Sequence, residues 1–205
     1  MKIKICGITD PSIAKLVDQS NCDFLGVVFY NKSPRHVEIK DVQKISQAIT
    51  KAKKVGVVVE PKMDYLEEII SNFVPDFIQF HGQIKLDFLE QFNAKFPKIG
   101  IIIAQGVSKA EDLKKFDNFY NIADYFLIDG AISGSGKVFD WSILKDFKCS
   151  KPWFLAGGLT LDNILQAIKI TNANMIDISS GLEKTRGIKD PDLIIALMKK
   201  LNKIS

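Results

Sequence analysis

The feature that most constrains this fold is a series of eight short apolar runs that recur at intervals of roughly 20 to 30 residues. Several of the runs, such as VGVVV and IGIII, are continuously apolar rather than alternating. Parallel strands that are covered by helices have this pattern, because both of their faces are buried. The eight runs are Lys2–Cys6, Phe24–Phe29, Lys54–Val59, Phe77–Phe80, Lys98–Ile103, Tyr125–Ile128, Trp153–Ala156 and Met175–Ile178.

Segments with helical periodicity lie between the runs and after the last one. Helix start signals fit this assignment, since Asp10 and Asp190 each precede a proline and Thr160 precedes LDN. Eight strands alternating with eight helices predict an α/β fold, a (β/α)8 TIM barrel that forms a single domain over residues 1–205. A doubly wound open sheet is the alternative. The helical pattern rests on apolar pairs such as Leu66 and Ile69, Leu113 and Phe116, and Trp141 and Leu144.

Composition excludes several classes of function. The 28 basic and 24 acidic residues give a net charge of +4, and the lysines are spread along the chain, so nothing favours nucleic-acid binding. A mild positive balance suits a small anionic substrate. No run approaches the ~20 apolar residues of a membrane span. Three scattered cysteines and two isolated histidines argue against disulfides and against a metal site. We therefore expect a cytoplasmic protein with no metal.

The active site of such a barrel lies at the carboxyl ends of the strands, so the residues that follow each run are the candidates for chemistry. These residues are more polar and richer in glycine than the strands before them. They include Gln79 and His81 after the fourth run and Asp177 in the eighth, which we take as candidates for contact with the substrate. Asp177 could equally hold a loop through hydrogen bonds to the backbone.

Two glycine-bearing turns follow the last two strands. The seventh run continues into Gly157 and Gly158, and the eighth into Ser179, Ser180 and Gly181. Glycine lets backbone N–H groups approach an anion closely, and the loops after strands seven and eight are the usual phosphate seat of this fold. One glycine pair alone is weak support, since most such pairs are simple turns. The two together predict a phosphate site.

Cys6 and Asp129 each stand where a strand meets its loop. Cys6 is either a small buried apolar residue or a reactive thiol whose thiolate is stabilised by nearby cations. Asp129 is either a loop cap or an acid whose pKa burial would raise. Arg35 follows in the long loop after the second run, where it is either solvated or paired with a carboxylate. The residues alone leave these alternatives open.

Several motifs together resemble the phosphoribosylanthranilate isomerase family. They are KICGIT, DFLGVVFYNKSPR, VGVVVE, IQFHG, LIDG followed by SGSGKVFDW, FLAGGLTLDN, and DISSGLE with G-x-KD after it, and they run in order over nearly the entire chain. The combination of KICGIT, SPR, GSGKxFDW and D-x-SSG-x-E is highly specific. The resemblance implies a barrel that needs no cofactor and that acts in tryptophan biosynthesis.

The resemblance also implies a reaction, the Amadori rearrangement of N-(5′-phosphoribosyl)anthranilate to 1-(2-carboxyphenylamino)-1-deoxyribulose 5-phosphate. In the family the cysteine of KICGIT is the general base and the aspartate that ends strand six is the general acid, which places these roles on Cys6 and Asp129. The arginine of SPR, Arg35, would face the anthranilate moiety. The partner is thus a small phosphosugar, with neither nucleic acid nor membrane, and the protein is a monomer or a homodimer.

Two other functions remain as alternatives. A phosphosugar epimerase on the same fold would use a metal site built from paired histidines and aspartates. A chain with only two histidines does not supply such a site. A non-catalytic module that binds a phosphate ligand would keep the glycine turns without any need for Cys6 or Asp129. Activity of variants at these two positions discriminates the module from an isomerase.

Overall fold

The computed structural model describes residues 1–130, 140–145 and 147–202 and contains a closed barrel of eight parallel strands. The strands pair with their neighbours in chain order, and the eighth pairs with the first, Ile3 lying opposite Ile176. The predicted (β/α)8 barrel is therefore confirmed, and the open sheet is excluded. The strands are β1 Lys2–Cys6, β2 Phe24–Val28, β3 Lys53–Val59, β4 Phe77–His81, β5 Gly100–Val107, β6 Tyr125–Gly130, β7 Trp153–Leu155 and β8 Met175–Ile178.

Six α-helices and three 3₁₀ helices accompany the strands in the described part of the chain. The α-helices are α1 Pro11–Gln19, α2 Val42–Ala48, α3 Met63–Phe73, α4 Leu86–Lys95, α5 Ile164–Thr171 and α6 Pro191–Leu201. Prolines open α1 and α6, and the side chains of Asp10 and Asp190 accept hydrogen bonds from backbone N–H groups of the first turn. The 3₁₀ helices are Ile39–Asp41, Ala110–Phe119 and Trp141–Leu144.

Two of the eight segments predicted to be helical, those after β5 and β6, are 3₁₀ rather than α. Their apolar residues explain the difference. Leu113, Phe116 and Phe119 are spaced by three, as are Trp141 and Leu144. A 3₁₀ helix has three residues per turn, so this spacing aligns the apolar side chains on one face. Phe116, Trp141 and Leu144 are buried on that face.

Alternate residues of the strands divide the core into two apolar clusters. On β1, Ile3 and Ile5 face outward and belong to the larger cluster, which lies between the barrel and its helices. Cys6 faces inward and belongs to the smaller cluster inside the barrel, with residues such as Val55 and Ile102. The same alternation turns Lys4 inward. Strand geometry thus decides which side chains can reach a site at the barrel mouth.

Aromatic side chains fill the amino-terminal end of the barrel interior. Phe24, Phe77, Tyr125 and Phe154 meet with ring centroids 5.2 to 5.8 Å apart, mostly in edge-to-face or tilted arrangements. This packing closes the amino-terminal, or lower, end of the barrel. Polar inward-facing side chains lie at the carboxyl, or upper, end.

A short antiparallel hairpin that the sequence did not predict follows β8. Its strands are β9 Glu183–Thr185 and β10 Ile188–Lys189, joined through Gly187 at φ 89°. The hairpin lies at the carboxyl end of the barrel, where Arg186 at its tip lines the mouth. Among the described residues, no helix combines the length and the apolar character that a membrane crossing requires.

Candidate active site

A cavity of about 310 Å³ opens at the carboxyl ends of the strands. Ten of the eleven residues proposed from the sequence line it, although they come from six of the eight strands and their loops. The ten are Cys6, Arg35, Gln79, His81, Asp129, Gly157, Gly158, Asp177, Ser179 and Ser180. The strand-end rule thus gathers into one place residues that are up to 174 positions apart in the chain.

Gly181 is the exception, since it does not line the cavity. It forms an isolated bridge with Thr160, and a Cβ atom at Gly181 would collide with the carbonyl oxygen of Leu159. The residue therefore lets the loop after β8 pack directly against the loop after β7. We expect Gly181 to shape the predicted phosphate seat from behind rather than to contact the ligand.

The thiol of Cys6 faces the cavity from the end of β1 and is 7% exposed. Gly26 on the neighbouring strand makes room for it, because a Cβ at that position would lie 2.8 Å from the sulfur. Burial raises the pKa of the Cys6 thiol, and the nearby ammonium groups of Lys4 and Lys189 offset this effect only in part. The net direction is therefore opposite to the readily lost thiol proton that one of the two sequence interpretations expected.

An ion pair lies directly below the thiol. Lys4 is fully buried, and its Nζ lies 3.1 Å from Oδ1 of Asp177 on β8. Burial disfavours the ammonium, but the charges of Asp177 and of the Cys6 sulfur outweigh this cost and raise the pKa of Lys4. Asp177 thus holds a buried cation, a role that the sequence interpretation had not considered for it.

Asp129, the penultimate residue of β6, lies on the other side of the cavity, next to His81 at the end of β4. The Nε2 atom of His81 lies 3.8 Å from Oδ2 of Asp129, and both side chains are more than four-fifths buried. Burial and the positive charge of Lys4 lower the pKa of His81, so its imidazole is neutral at neutral pH. The neutral imidazole therefore places no positive charge beside the carboxyl group of Asp129.

Arg35 is paired with a carboxylate, as one of the two sequence interpretations proposed. Its Nε and NH2 groups donate to Oε1 and Oε2 of Glu183 at 2.5 and 2.9 Å, and its side chain lies over Gly7, where a Cβ would collide with it. Lys189 donates to the same Oε1 at 2.8 Å. Burial opposes the charge of Glu183, but Arg35, Lys189 and the N–H of Gly187 lower the pKa of Glu183 to about 2.

The network continues from Lys189 to the strand that carries the thiol. Lys189 donates to the carbonyl oxygen of Ser179 at 3.0 Å, and the hydroxyl of Ser179 donates to the carbonyl oxygen of Cys6 at 3.0 Å. Glu183 and Lys189 were not proposed as site residues from the sequence. Glu183 stands in the D-x-SSG-x-E motif and Lys189 in the G-x-KD pattern that follows it, so both motifs were usable signals.

The two turns proposed for phosphate lie side by side. Gly157 and Gly158 adopt φ of 87° and 68°, a region that other residues rarely enter. Asn163 fixes the first turn, since its side chain accepts from the N–H of Thr160 at 2.8 Å and donates to the carbonyl oxygen of Gly158 at 2.9 Å. Most of the SGSGKVFDW motif, residues 133–139, lies outside the described residues.

Gln79 lies in the cavity wall with a buried carboxamide. Its Oε1 atom has no hydrogen-bond partner among the described residues, and the residue is 4% exposed. A buried acceptor without a partner is costly unless a ligand satisfies it. The arrangement therefore favours a ligand that carries a hydroxyl or N–H group to this wall of the cavity.

The comparisons with known proteins agree with this geometry. The family model described as N-(5′-phosphoribosyl)anthranilate isomerase matches residues 3–200. A curated relative from Acaryochloris marina, an N-(5′-phosphoribosyl)anthranilate isomerase, is 36% identical over 201 residues and covers 93% of each chain.

Solved structures of the same family superpose closely. Phosphoribosyl anthranilate isomerase from Thermotoga maritima has a TM-score of 0.89 at 30% identity and covers 99% of both chains. A phosphoribosyl anthranilate isomerase in complex with reduced 1-(o-carboxyphenylamino)-1-deoxyribulose 5-phosphate has a TM-score of 0.85 at 29% identity, again over 99% of both chains.

Proposed function

Because the chain belongs to the N-(5′-phosphoribosyl)anthranilate isomerase family, we propose that it catalyses the isomerisation of N-(5′-phosphoribosyl)anthranilate in tryptophan biosynthesis. The product is 1-(2-carboxyphenylamino)-1-deoxyribulose 5-phosphate. The observation that carries the proposal is that Cys6 and Asp129 line one cavity from opposite sides of the barrel. Two proton-transfer groups on either side of a sugar-sized space are what an aldose–ketose rearrangement requires.

The first step opens the sugar ring. Asp129, acting as a carboxylic acid, gives its proton to the furanose ring oxygen. The bond between that oxygen and C1 breaks, its electron pair stays on oxygen, and the nitrogen lone pair forms the C=N bond of a protonated Schiff base. His81 beside Asp129 orients the carboxyl group for this transfer.

The second step moves a proton away from C2. The Cys6 thiolate accepts that proton, and the electrons of the C–H bond form the C1=C2 bond of an enolamine as the iminium nitrogen takes up the electron pair. Loss of the hydroxyl proton at C2 and protonation at C1 then give the ketone. Each positioned proton transfer is typically worth ~10²–10⁴ in rate.

The two ends of the substrate serve as handles. We propose that the phosphate binds the turns at Gly157, Gly158, Ser179 and Ser180. Arg35 is held by Glu183 through Nε and NH2, which leaves NH1 for the anthranilate carboxylate. Fixing both ends places C2 near Cys6 and turns remote binding energy into orientation at the reacting atoms.

The test is to follow the fluorescence of phosphoribosylanthranilate as the purified protein consumes it. We expect the wild-type protein to remove the signal catalytically. The Cys6→Ser and Asp129→Asn variants should bind the reduced product analogue but leave the signal nearly unchanged. Equal turnover by the wild type and both variants would assign the activity to other groups, and binding without turnover by the wild type would favour a phosphate-ligand module.

We further propose that the protein works as a monomer or a homodimer, since monomers of a dimeric phosphoribosylantranilate isomerase from Thermotoga maritima share its fold, with a TM-score of 0.84 at 30% identity. Light scattering across a dilution series, run in parallel with the activity assay, tests this directly. Specific activity that stays constant while a dimer dissociates supports a site that is complete in one chain.

A further inference from the structure

Lys4 is a charged side chain inside the barrel, where the inward-facing side chains of several other strands are apolar. It faces the barrel interior from β1, and the inward-facing residues Val55, Ile102 and Phe154 on β3, β5 and β7 all belong to the apolar interior cluster. Lys4 is 0% exposed. A buried ammonium is expensive to desolvate, and an apolar side chain of similar length would fill the same space without that cost. The fold alone therefore does not require a lysine here.

The position of Lys4 relates it to the thiol rather than to the ligand. Lys4 stands two residues before Cys6 on the same inward face of β1, and its ammonium is fixed by Asp177 at 3.1 Å. It does not line the cavity, whereas Cys6 and Asp177 do. The ammonium is thus placed below the sulfur, on the side away from the substrate.

Charged groups face the thiol from several elements, and they act in opposite directions. Lys4 on β1 and Lys189 on β10 favour the thiolate, whereas Asp177 on β8 and burial itself oppose it. Asp129 on β6 and the neutral imidazole of His81 on β4 lie across the cavity. The guanidinium of Arg35, in the loop after β2, is paired with Glu183. A substrate that carries a phosphate and a carboxylate brings further negative charge into the cavity.

We propose that Lys4 is a positioning residue that acts through Cys6: its buried ammonium stabilises the thiolate that takes the proton from C2, and Asp177 holds the ammonium in place. The inference rests on the proposed isomerase function and deepens it. Without such a cation below the sulfur, burial and a dianionic substrate would raise the pKa of the Cys6 thiol further still, and less thiolate would form. The cation is kept inside the barrel so that it cannot be neutralised by the substrate itself.

The consequence for kinetics is specific. Because Lys4 does not line the cavity, its removal should lower kcat and leave KM nearly unchanged. The limb of the pH–rate profile that rises with deprotonation of Cys6 should move to higher pH. Below that limb, kcat should fall about tenfold for each unit by which the pKa of Cys6 rises.

The direct test measures the thiolate of Cys6 without any substrate. Iodoacetamide alkylates only the thiolate, and the mass of the Cys6 peptide reports how much of it is modified. The rate of modification measured against pH therefore gives the midpoint pH of Cys6 ionisation. We expect the midpoint to rise by at least about one unit in Lys4→Met. Lys4→Met combined with Asp177→Asn leaves no unpaired buried charge, and its midpoint should rise by less.

Lys54→Met is the matched control. Lys54 is a half-buried lysine on β3 whose Nζ donates to Ser46 at 2.9 Å, outside the barrel interior. In Lys54→Met, the midpoint pH of Cys6 alkylation should equal that of the wild type. Cys149, which is half-buried at the far end of the fold, provides an internal reference in every digest.

Three outcomes decide the inference. An upward shift in both Lys4 variants but not in the control supports it, and the double variant gives the answer if the single one does not fold. An unchanged midpoint in the folded Lys4 variants overturns it, as does an equal shift in Lys54→Met. Since alkylation requires no turnover, this result is independent of whether the wild type consumes phosphoribosylanthranilate.

Discussion

The two ends of the barrel interior are built by the same strands but are chemically opposite. At the amino-terminal end, Phe24 and Phe77 pack with their ring centroids 5.8 Å apart. From Lys4, the register partner of Phe24, toward the carboxyl end, the ion pair of Lys4 with Asp177 and the thiol of Cys6 form a buried group of ionisable side chains. One end contributes apolar burial and the other contributes chemistry.

This contrast shows how a parallel barrel separates stability from function. The lower end gains free energy from apolar contact, which does not depend on pH or on ligand. The upper end contains desolvated charges whose mutual attraction is opposed by their desolvation, so what it adds to stability depends on pH while it holds reactive groups in place. Substitutions at the two ends should therefore separate activity from stability.

The largest expected effect is on activity at the upper end. Cys6→Ser and Asp129→Asn should each lower kcat by ~10²–10⁴, because each removes one positioned proton transfer. Both changes are nearly isosteric, so the free energy of unfolding should stay close to that of the wild type. Steady-state kinetics and urea denaturation on the same samples check both parts. Near-wild-type turnover by either variant would remove that residue from its assigned role.

The matching change at the lower end should affect stability alone. Phe24→Ala removes the ring that contacts Phe77, Tyr125 and Phe154, and should lower the free energy of unfolding by about 3–5 kcal/mol. The kcat of the folded protein should remain close to the wild-type value. Urea denaturation and kinetics at low temperature test this, and a large loss of kcat in a folded Phe24→Ala would contradict the separation of the two ends.

Acid should weaken the upper end before the lower one. The pKa of Glu183 is lowered from 4.5 to about 2 in the folded protein, so its contribution is fully present above the unfolded value near 4.5. It is lost as the pH falls toward 2 and amounts to about 3 kcal/mol at most. Urea denaturation at pH 6 and at about pH 3 measures the loss. In Glu183→Gln the free energy of unfolding should depend less on pH in this range. A dependence identical to that of the wild type would show that the effect does not come from Glu183.

The smallest effect is expected for Arg35→Ala. The variant loses a charge-assisted contact to the substrate carboxylate, so KM should rise by roughly tenfold or more while kcat changes little. Lys189 still neutralises Glu183, which limits the cost to folding. An unchanged KM in steady-state kinetics would show that Arg35 serves only the ion pair with Glu183.

The sequence predicted the barrel well because its strands are continuously apolar. Runs such as Lys54–Val59 have no other common interpretation when helical segments separate them. The hairpin Glu183–Lys189 was missed because its residues are mostly charged and its strands are only two and three residues long. Such a hairpin is determined by its contacts with the mouth of the barrel, and a local pattern does not contain these.

For the site, the sequence indicated positions but not electrostatics. The end of a strand is visible in the sequence, and this placed Cys6 and Asp129 at one mouth. The sign of the pKa shift of Cys6 depends on burial and on which cations face the sulfur. Lys4 could have been suspected from its alternation with Cys6, because residues two apart on a strand face the same way. Lys189 stands in the G-x-KD pattern, but nothing in that pattern indicates that its ammonium faces the sulfur of Cys6.

The most direct test of the account is a crystal structure of this protein with the reduced product analogue. It should show the sulfur of Cys6 within contact distance of C2 of the sugar and the carboxyl group of Asp129 within hydrogen-bonding reach of the sugar oxygen that was freed from the ring. The phosphate should lie against Gly157, Gly158 and Ser179. A ligand bound in the cavity with either Cys6 or Asp129 out of reach of the sugar would contradict the proposed acid–base pair.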